Sequence, residues 1–292
     1  MGVTIWSGLV QGAIFAIVAC GFTVSQLPSG VFNFAQGALI VCGTYLTYFW
    51  YTSLGLSAVP AIVLNVLSGL ALGVLCELTT VRPLRWSRIA HGGPSELVTT
   101  VGMATALIGA VGLLWGTLPL QVPWHGPNQV VSFLGIRALP VEITVVAGAI
   151  VVAVGLHAWF RFTRLGQACM AVSEDRNAAM LRGINVSALS LGAFAAAGAL
   201  ATLAATAIGP ITFAVPTIGN TLALSGFVAI AIGGEGRFIG ALIGGLLVGL
   251  VSSFAVRYLG ANYSNLSILF ILLVTLTIKP RGLGGAAEAR VV

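Results

Sequence analysis

Apolar runs of about the length of a membrane span follow one another along this chain: 5–25, 35–54, 58–79, 96–117, 140–160, 188–209, 238–257 and 262–279. A helix needs about 20 such residues to cross roughly 30 Å of hydrocarbon. The runs are continuous rather than alternating, which favours helices over the strands of a barrel. Charge is scarce, with 13 Lys and Arg and 7 Asp and Glu among 292 residues. That set cannot coat a soluble fold, in which about a quarter of residues are charged. The expected class is therefore an all-α integral membrane protein. It is a polytopic bundle of eight to nine transmembrane helices, read as one transmembrane domain over residues 1–292. A soluble enzyme is excluded.

The net charge of +6 and pI near 9.6 would suit nucleic acid, but the arginines stand at the ends of apolar runs, where topology explains them. Arg82, Arg85 and Arg88 mark one cytoplasmic loop, and Arg161, Arg164, Arg176 and Arg182 another. A ninth run, 217–234, is short and interrupted by Gly, Ser and Asn. If it crosses, Arg237, Lys279, Arg281 and Arg290 also fall inside, and 11 of 13 basic residues are cytoplasmic. If it is re-entrant instead, the split is eight against five. Nine crossings are expected, with the N-terminus outside and the C-terminus inside. The opening MGVTIWSGLV has no positive stretch and reads as a first span rather than a cleaved signal.

Glycine supplies 38 residues, many within the runs. In lipid, small residues let helix backbones approach. GALIGGLLVGL places Gly240, Gly244, Gly245 and Gly249 near i, i+4 spacing, and Ala193 to Ala205 offers a second small face. Both suit close packing within one subunit or between subunits. GALI recurs at 37–40 and 240–243, each time after a polar, glycine-containing stretch. Such pairing suits the broken helices found near the midplane of transporters.

Few side chains could perform chemistry. Cys20, Cys42, Cys76 and Cys169 are scattered without metal-ligand spacing, and His91, His125 and His157 have no carboxylate at catalytic spacing. No metal site, disulfide frame or enzymatic centre is expected. The polar groups to notice are Asn33 and Gln36 in PSGVFNFAQGALI, and Asn220, Thr221 and Ser225 in the short run. Pro28, Gly30 and Gly37 make the first stretch a poor continuous helix. Asn33 and Gln36 either cap a helix start or line a path through the membrane.

Six of the charged residues lie between Arg161 and Arg182, in a polar break flanked by spans. There Ser173 or Asp175 could cap a short helix, RNAAML, which Gly183 can stop. Ala178 and Ala179 would give that helix a small face for a partner groove; on its own pattern it suits the membrane surface equally. SEDRNAAMLRGIN resembles the cytoplasmic loop of the permease subunits of branched-chain amino acid ABC transporters, the LivH/LivM class. The likeness runs along most of the chain and is nearest the LivH-like subunit. GAIFAIVACGFTVSQLPSGVFNFAQGALIVCGTYL is similar to that subunit's first-span region, VRPLR to its arginine loop, FVAIAIGGEGRFIGALIGGLLVGL to its late glycine-rich region, and IKPRGLGG to its C-terminal end.

The resemblance implies one transmembrane half of an ATP-driven importer, in a bacterial inner membrane. Its partners would be a second, LivM-like permease, two cytoplasmic ATPases and an extracytoplasmic solute-binding protein. ATP would be bound by those ATPases; this chain has no G-x-x-x-x-G-K-[ST] phosphate loop and needs no cofactor of its own. Within a coupling loop at about 162–187, Glu174, Asp175, Ala178, Ala179, Gly183, Ile184 and Asn185 would meet the ATPase. Asn33, Phe34, Ala35 and Gly37 match the family's Asn-Phe-Ala-x-Gly motif, so the implied translocation path comprises Asn33, Phe34, Gln36, Gly37, Asn220 and Ser225. Gln36 stands where histidine is common, and Glu235 and Arg237 where uncharged residues are usual. The cargo is expected among branched-chain amino acids and related small polar solutes such as amides or urea. A passive channel or facilitator is the alternative. An ion-driven carrier would need ionisable groups deeper in the membrane than Glu77, Glu96 and Glu142, which lie towards span ends.

Overall fold

The computed structural model describes residues 1–83, 94–127, 129–133, 136–279 and 282. Arg85, Arg88, His91, Arg281 and Arg290 lie outside the described residues. The helices are α1 (Gly2–Ser29), α2 (Gln36–Tyr48), α3 (Ala58–Cys76), α4 (Pro94–Trp115) and α5 (Pro140–Phe162). Then come α6 (Arg164–Glu174), α7 (Arg176–Leu181), α8 (Val186–Thr212), α9 (Ile218–Gly233), α10 (Phe238–Tyr258) and α11 (Ser264–Ile278). A π-helical turn extends α2 to Ser53 and another extends α3 to Val81. Helices satisfy every backbone donor and acceptor within the segment, which hydrocarbon demands.

Among the described residues, seven helices are long and apolar enough to cross a membrane. The runs at 35–54 and 217–234 behave differently, because the chain enters each of them at depth. Gln36 Nε2 donates to the carbonyl of Ala197, halfway along α8, at 3.1 Å. From there α2 leads to one end of the bundle, where the Tyr45 and Phe49 rings meet Trp115. Before α9, Ala214 pairs with Leu120 through two backbone bonds of 3.1 and 2.9 Å. After α9, Gly236 lies against Leu27 near the opposite end of α1. So α9 runs from one end of the bundle to the other, shortened by the irregular stretch before it.

The small faces are spent inside the protomer. Antiparallel α1 and α10 meet backbone to backbone: a Cβ on Gly249 would overlap the backbone of Gly12, and one on Gly245 would lie 2.7 Å from Ala16 Cα. Gly198 of α8 lies equally close to Gly69 and Gly73 of α3. The two GALI segments each place their glycine against α9, Gly37 at its start and Gly240 at its end.

The bundle has two distinct ends. At one, Trp6 Nε1 donates to Glu142 Oε2 at 2.8 Å and Arg257 Nη1 to Thr4 Oγ1 at 2.6 Å. The connection between α4 and α5 there folds partly into an antiparallel hairpin, β1 (Val131–Phe133) with β2 (Ile136–Ala138), pairing Ser132 with Arg137. The other end carries α6, α7, the 234–237 turn and Gly282 packed on Gly234. Of the described basic residues, Arg82, Arg161, Arg164, Arg176, Arg182, Arg237 and Lys279 collect at this second end, and Arg137 and Arg257 at the first.

Candidate functional site

The polar segment between α5 and α8 is built by successive caps. Thr163 Oγ1 donates to the Trp159 carbonyl at 2.7 Å and accepts from Gly166 N at 3.1 Å, ending one helix and starting the next. Gly166, Cys169 and Val172 form the buried face of α6, on one side of the helix. Gly166 sits so close to the Phe160 backbone that a side chain there would overlap it. Burial pushes the Cys169 thiol up to about 11, so it packs as a protonated, apolar group at neutral pH.

Of the two candidate caps for α7, Asp175 is the one used. Its Oδ1 accepts from Asn177 N at 2.9 Å and Ala178 N at 3.0 Å, whereas Ser173 Oγ donates back to Met170 O. The helix stops at Gly183, whose φ of +83° suits glycine. Gly183 N bonds Met180 O and Ile184 N bonds Ala179 O, the paired bonds of a Schellman stop. Asn185 then caps α8, accepting from Ala188 N at 3.0 Å.

The side chains of this segment divide into two sets. Ala179 is 3% exposed and packs with Val172 and Val186, with Ile184 alongside. The small face pictured for a partner groove is thus half used internally, because the amphipathic α6 folds under α7. Glu174, Asp175, Gly183 and Asn185 are exposed and Ala178 half-buried. Sequence reasoning missed the apolar pair on the outer face, Leu181 at 90% exposure and Met180 at 48%. The available signal was their place in AAML, opposite the buried Ala179.

A second locus lies where α2 and α9 begin. α1 ends at Gly30 (φ +75°), just after Pro28, and the chain turns back through residues 31–35. Asn33 Oδ1 accepts from Ala35 N at 3.2 Å and Asn33 O from Gln36 N at 2.9 Å, so Asn33 does organise the helix start. Gln36 reaches between α1 and α8, against Gly21. Gly37 meets the Gly219 carbonyl so closely that no side chain fits, which brings the starts of α2 and α9 together. Asn33, Gln36 and Ser225 are fully buried, yet Asn33 Nδ2, Gln36 Oε1 and Ser225 Oγ have no hydrogen-bond partner among the described residues. Asn220 is exposed and Phe34 half-buried.

Four rings close over this junction. Phe34 lies 5.5 Å from both Phe22 and Phe227, and Phe32 lies 5.6 Å from Phe227. Phe22, Phe32 and Phe227 were not legible as a group, since they come from α1, the turn and α9. Asn65 was also missed. Buried in α3, its Nδ2 donates to Thr202 O at 2.7 Å, Thr47 Oγ1 at 2.9 Å and Gly43 O at 3.3 Å, tying α2, α3 and α8.

The two loci are joined physically. Arg176, on α7, donates from Nη1 to the carbonyl of Ser29 at 3.5 Å, at the end of α1. Ser29 Oγ in turn accepts from Val31 N at 3.0 Å, the first residue past Gly30 in the turn that leads to Asn33. Beside it, Gln26 Nε2 approaches Glu235 Oε2 at 3.5 Å. The polar cleft between these groups encloses about 340 Å³.

Comparison with known proteins agrees with this architecture. PsaBC from Streptococcus pneumoniae, solved in complex with Fab, superposes with a TM-score of 0.50 and covers 94% of this chain and 91% of that one. At 13% identity that likeness is one of fold alone. The high-affinity branched-chain amino acid transport system permease protein BraD of Pseudomonas aeruginosa is 30% identical across 98% of this chain and 96% of its own length. LivH of Escherichia coli K12, described in the same words, is 27% identical over the same shares. Residues 4–277 match the sequence profile described as branched-chain amino acid transport system, permease component, and the chain belongs to that family of multi-pass membrane permeases.

Proposed function

We propose that this chain, acting as a single permease domain, forms one membrane half of an ATP-driven importer. The end bearing α6 and α7 faces the cytoplasm, because it collects most of the basic residues. The hairpin end then faces outward and receives solute from a binding protein. Two ATPases dock on the α6–α7 end, and a second, LivM-like permease completes the path. The relatives are named for branched-chain amino acids. The cargo is of that class or a related small polar solute, given Gln36 at the buried junction.

The observation that carries this reading is α7 itself. It is held at both ends by caps, presents Leu181 almost wholly uncovered, and is wired through Arg176 to the turn at residues 29–36. Large apolar side chains on a rigid polar element mark a docking surface. Closure of the ATPases would move α7 as a body, and Arg176 would carry that motion to the α2 start. The unpartnered atoms of Asn33, Gln36 and Ser225 offer hydrogen bonds to a polar solute, and the phenylalanine cluster supplies the barrier. ATP binding need only favour one of two packings of this junction over the other.

Replacing both Met180 and Leu181 by Asp tests the assignment. The tagged variant should insert and remain monodisperse but lose co-purifying ATPase. Solute uptake should fall roughly thirtyfold or more, the scale set by a loss of about 2 kcal/mol at an interface hot spot. Undiminished uptake with normal ATPase recovery would remove α7 from the coupling role.

A further inference from the structure

A cleft of about 520 Å³ lies between the end of α5, α6 and the turn from α9 into α10. Arg161 and Arg237 line it together with His157, and its walls are apolar, including Phe160, Met170 and Ile243. Neither the solute path nor the α7 surface uses these residues. Neither arginine is within ion-pair distance of a carboxylate among the described residues. Glu235, two positions before Arg237, turns instead towards Gln26 on α1. Arg161 has the Phe162 ring beneath its guanidinium, at 5.7 Å.

The walls say where the cleft opens. Ile243 is 48% exposed, about one turn into the membrane-crossing helix α10, and Phe162, outside the cleft but next to Arg161, is 76% exposed. Those side chains belong in hydrocarbon, whereas the two guanidiniums stand at its boundary. Arg237 also occupies the N-cap of α10, whose free backbone N–H groups add positive potential at the same point. A basic pocket between spanning helices with an apolar floor fits an anionic amphiphile. An acidic protein surface would match the charge but not the membrane-facing Ile243.

We infer that this cleft binds an anionic phospholipid, its phosphate held by Arg161 and Arg237 and its acyl chain laid along Phe160 and Ile243. Arginine suits the phosphate because its planar fork donates two bonds at once. Gly233 and Gly240, in backbone contact beneath the cleft, leave the floor free of side chains.

Native mass spectrometry of the full chain, purified with its accompanying subunits and supplied with phosphatidylglycerol or phosphatidylcholine, tests this. Phosphatidylglycerol should be retained and phosphatidylcholine not. Replacing both arginines (R161Q with R237Q) should weaken retention roughly thirtyfold, taking about 1 kcal/mol for each basic residue near a lipid surface. The R161K, R237K pair should hold most of the lipid, and equal monodispersity of the two double variants separates lost binding from misfolding. Equal retention of both lipids, or of phosphatidylglycerol by the glutamine variant, would overturn the inference. Displacement of the lipid by glycerol phosphate alone would also overturn it, showing a small-anion site. So would binding that appears only once the ATPase is stripped away, since the cleft would then be its docking surface.

Discussion

The seam between α1 and α10 and the polar segment between Thr163 and Asn185 use the same residue type to opposite ends. In the seam, Gly12, Gly245 and Gly249 are there because no side chain fits between two backbones. In the polar segment, Gly183 has open space around it and is there for its positive φ. The seam is thus specified by what it lacks, and almost any added atom must push the helices apart. The polar segment is specified by backbone caps, which leaves Met180 and Leu181 free to serve a partner without cost to the fold. Burial follows the same division: 67% of the most apolar stretch of α1 is buried, against 6% for peripheral α11.

The sharpest way to break this comparison is Gly249→Leu. Overpacking a core costs about 1–3 kcal/mol where side chains can yield, and here the obstacle is the backbone of Gly12. Loss of the monodisperse peak in size-exclusion chromatography of detergent extracts is expected. Gly148→Leu, in α5 with no atom near its added Cβ, should leave that peak intact. A normal profile for Gly249→Leu would mean that the seam is not what holds the bundle together.

A smaller effect is expected at Asn65, where the fold is tied by hydrogen bonds rather than by close approach. Interhelical hydrogen bonds in membranes average about 0.6 kcal/mol each. Three of them make Asn65→Leu cost roughly 2 kcal/mol, or about 4 °C of melting temperature for a chain of this size. Intrinsic tryptophan fluorescence on heating reads that shift. An unchanged melting point would show that packing alone holds α2 to α3 and α8.

What the sequence made legible follows from which signals are local. Span positions come from runs of apolar residues, and the start and stop of α7 from Ser173 or Asp175 and from Gly183, each acting within a few positions. The glycine-rich runs likewise announced close packing. Their partners were not legible, since Gly249 meets Gly12 across more than 200 positions. The same holds for the rings of Phe22, Phe34 and Phe227, and for the reach of Arg176 to Ser29. The inward turn of Ala179 depended on how α6 folds beneath α7, which begins with Gly166 packed on Phe160. A run of apolar residues also hides where a helix starts. The entries of α2 and α9 at depth depend on the contact of Gly37 with Gly219, not on local polarity.

The mildest test concerns the caps themselves and asks whether the polar segment is really held from its own ends. Asp175→Ala removes the acceptor of Asn177 N and Ala178 N, at a cost of about 1 kcal/mol for a lost N-cap. Ser173→Ala removes only a bond to Met170 O within α6. Hydrogen exchange at the amides of residues 177–179 should therefore accelerate roughly fivefold in the first variant, following that 1 kcal/mol, and stay at the native rate in the second. The bundle would be unaffected in both, because Asp175 is exposed and its side-chain hydrogen bonds, among the described residues, go to α7. Equal exchange in the two variants would mean that α7 is held by Ala179 packed on Val172 and Val186 rather than by its cap. The polar segment would then be specified by burial, as the seam is, and the freedom of Met180 and Leu181 would rest on a single alanine.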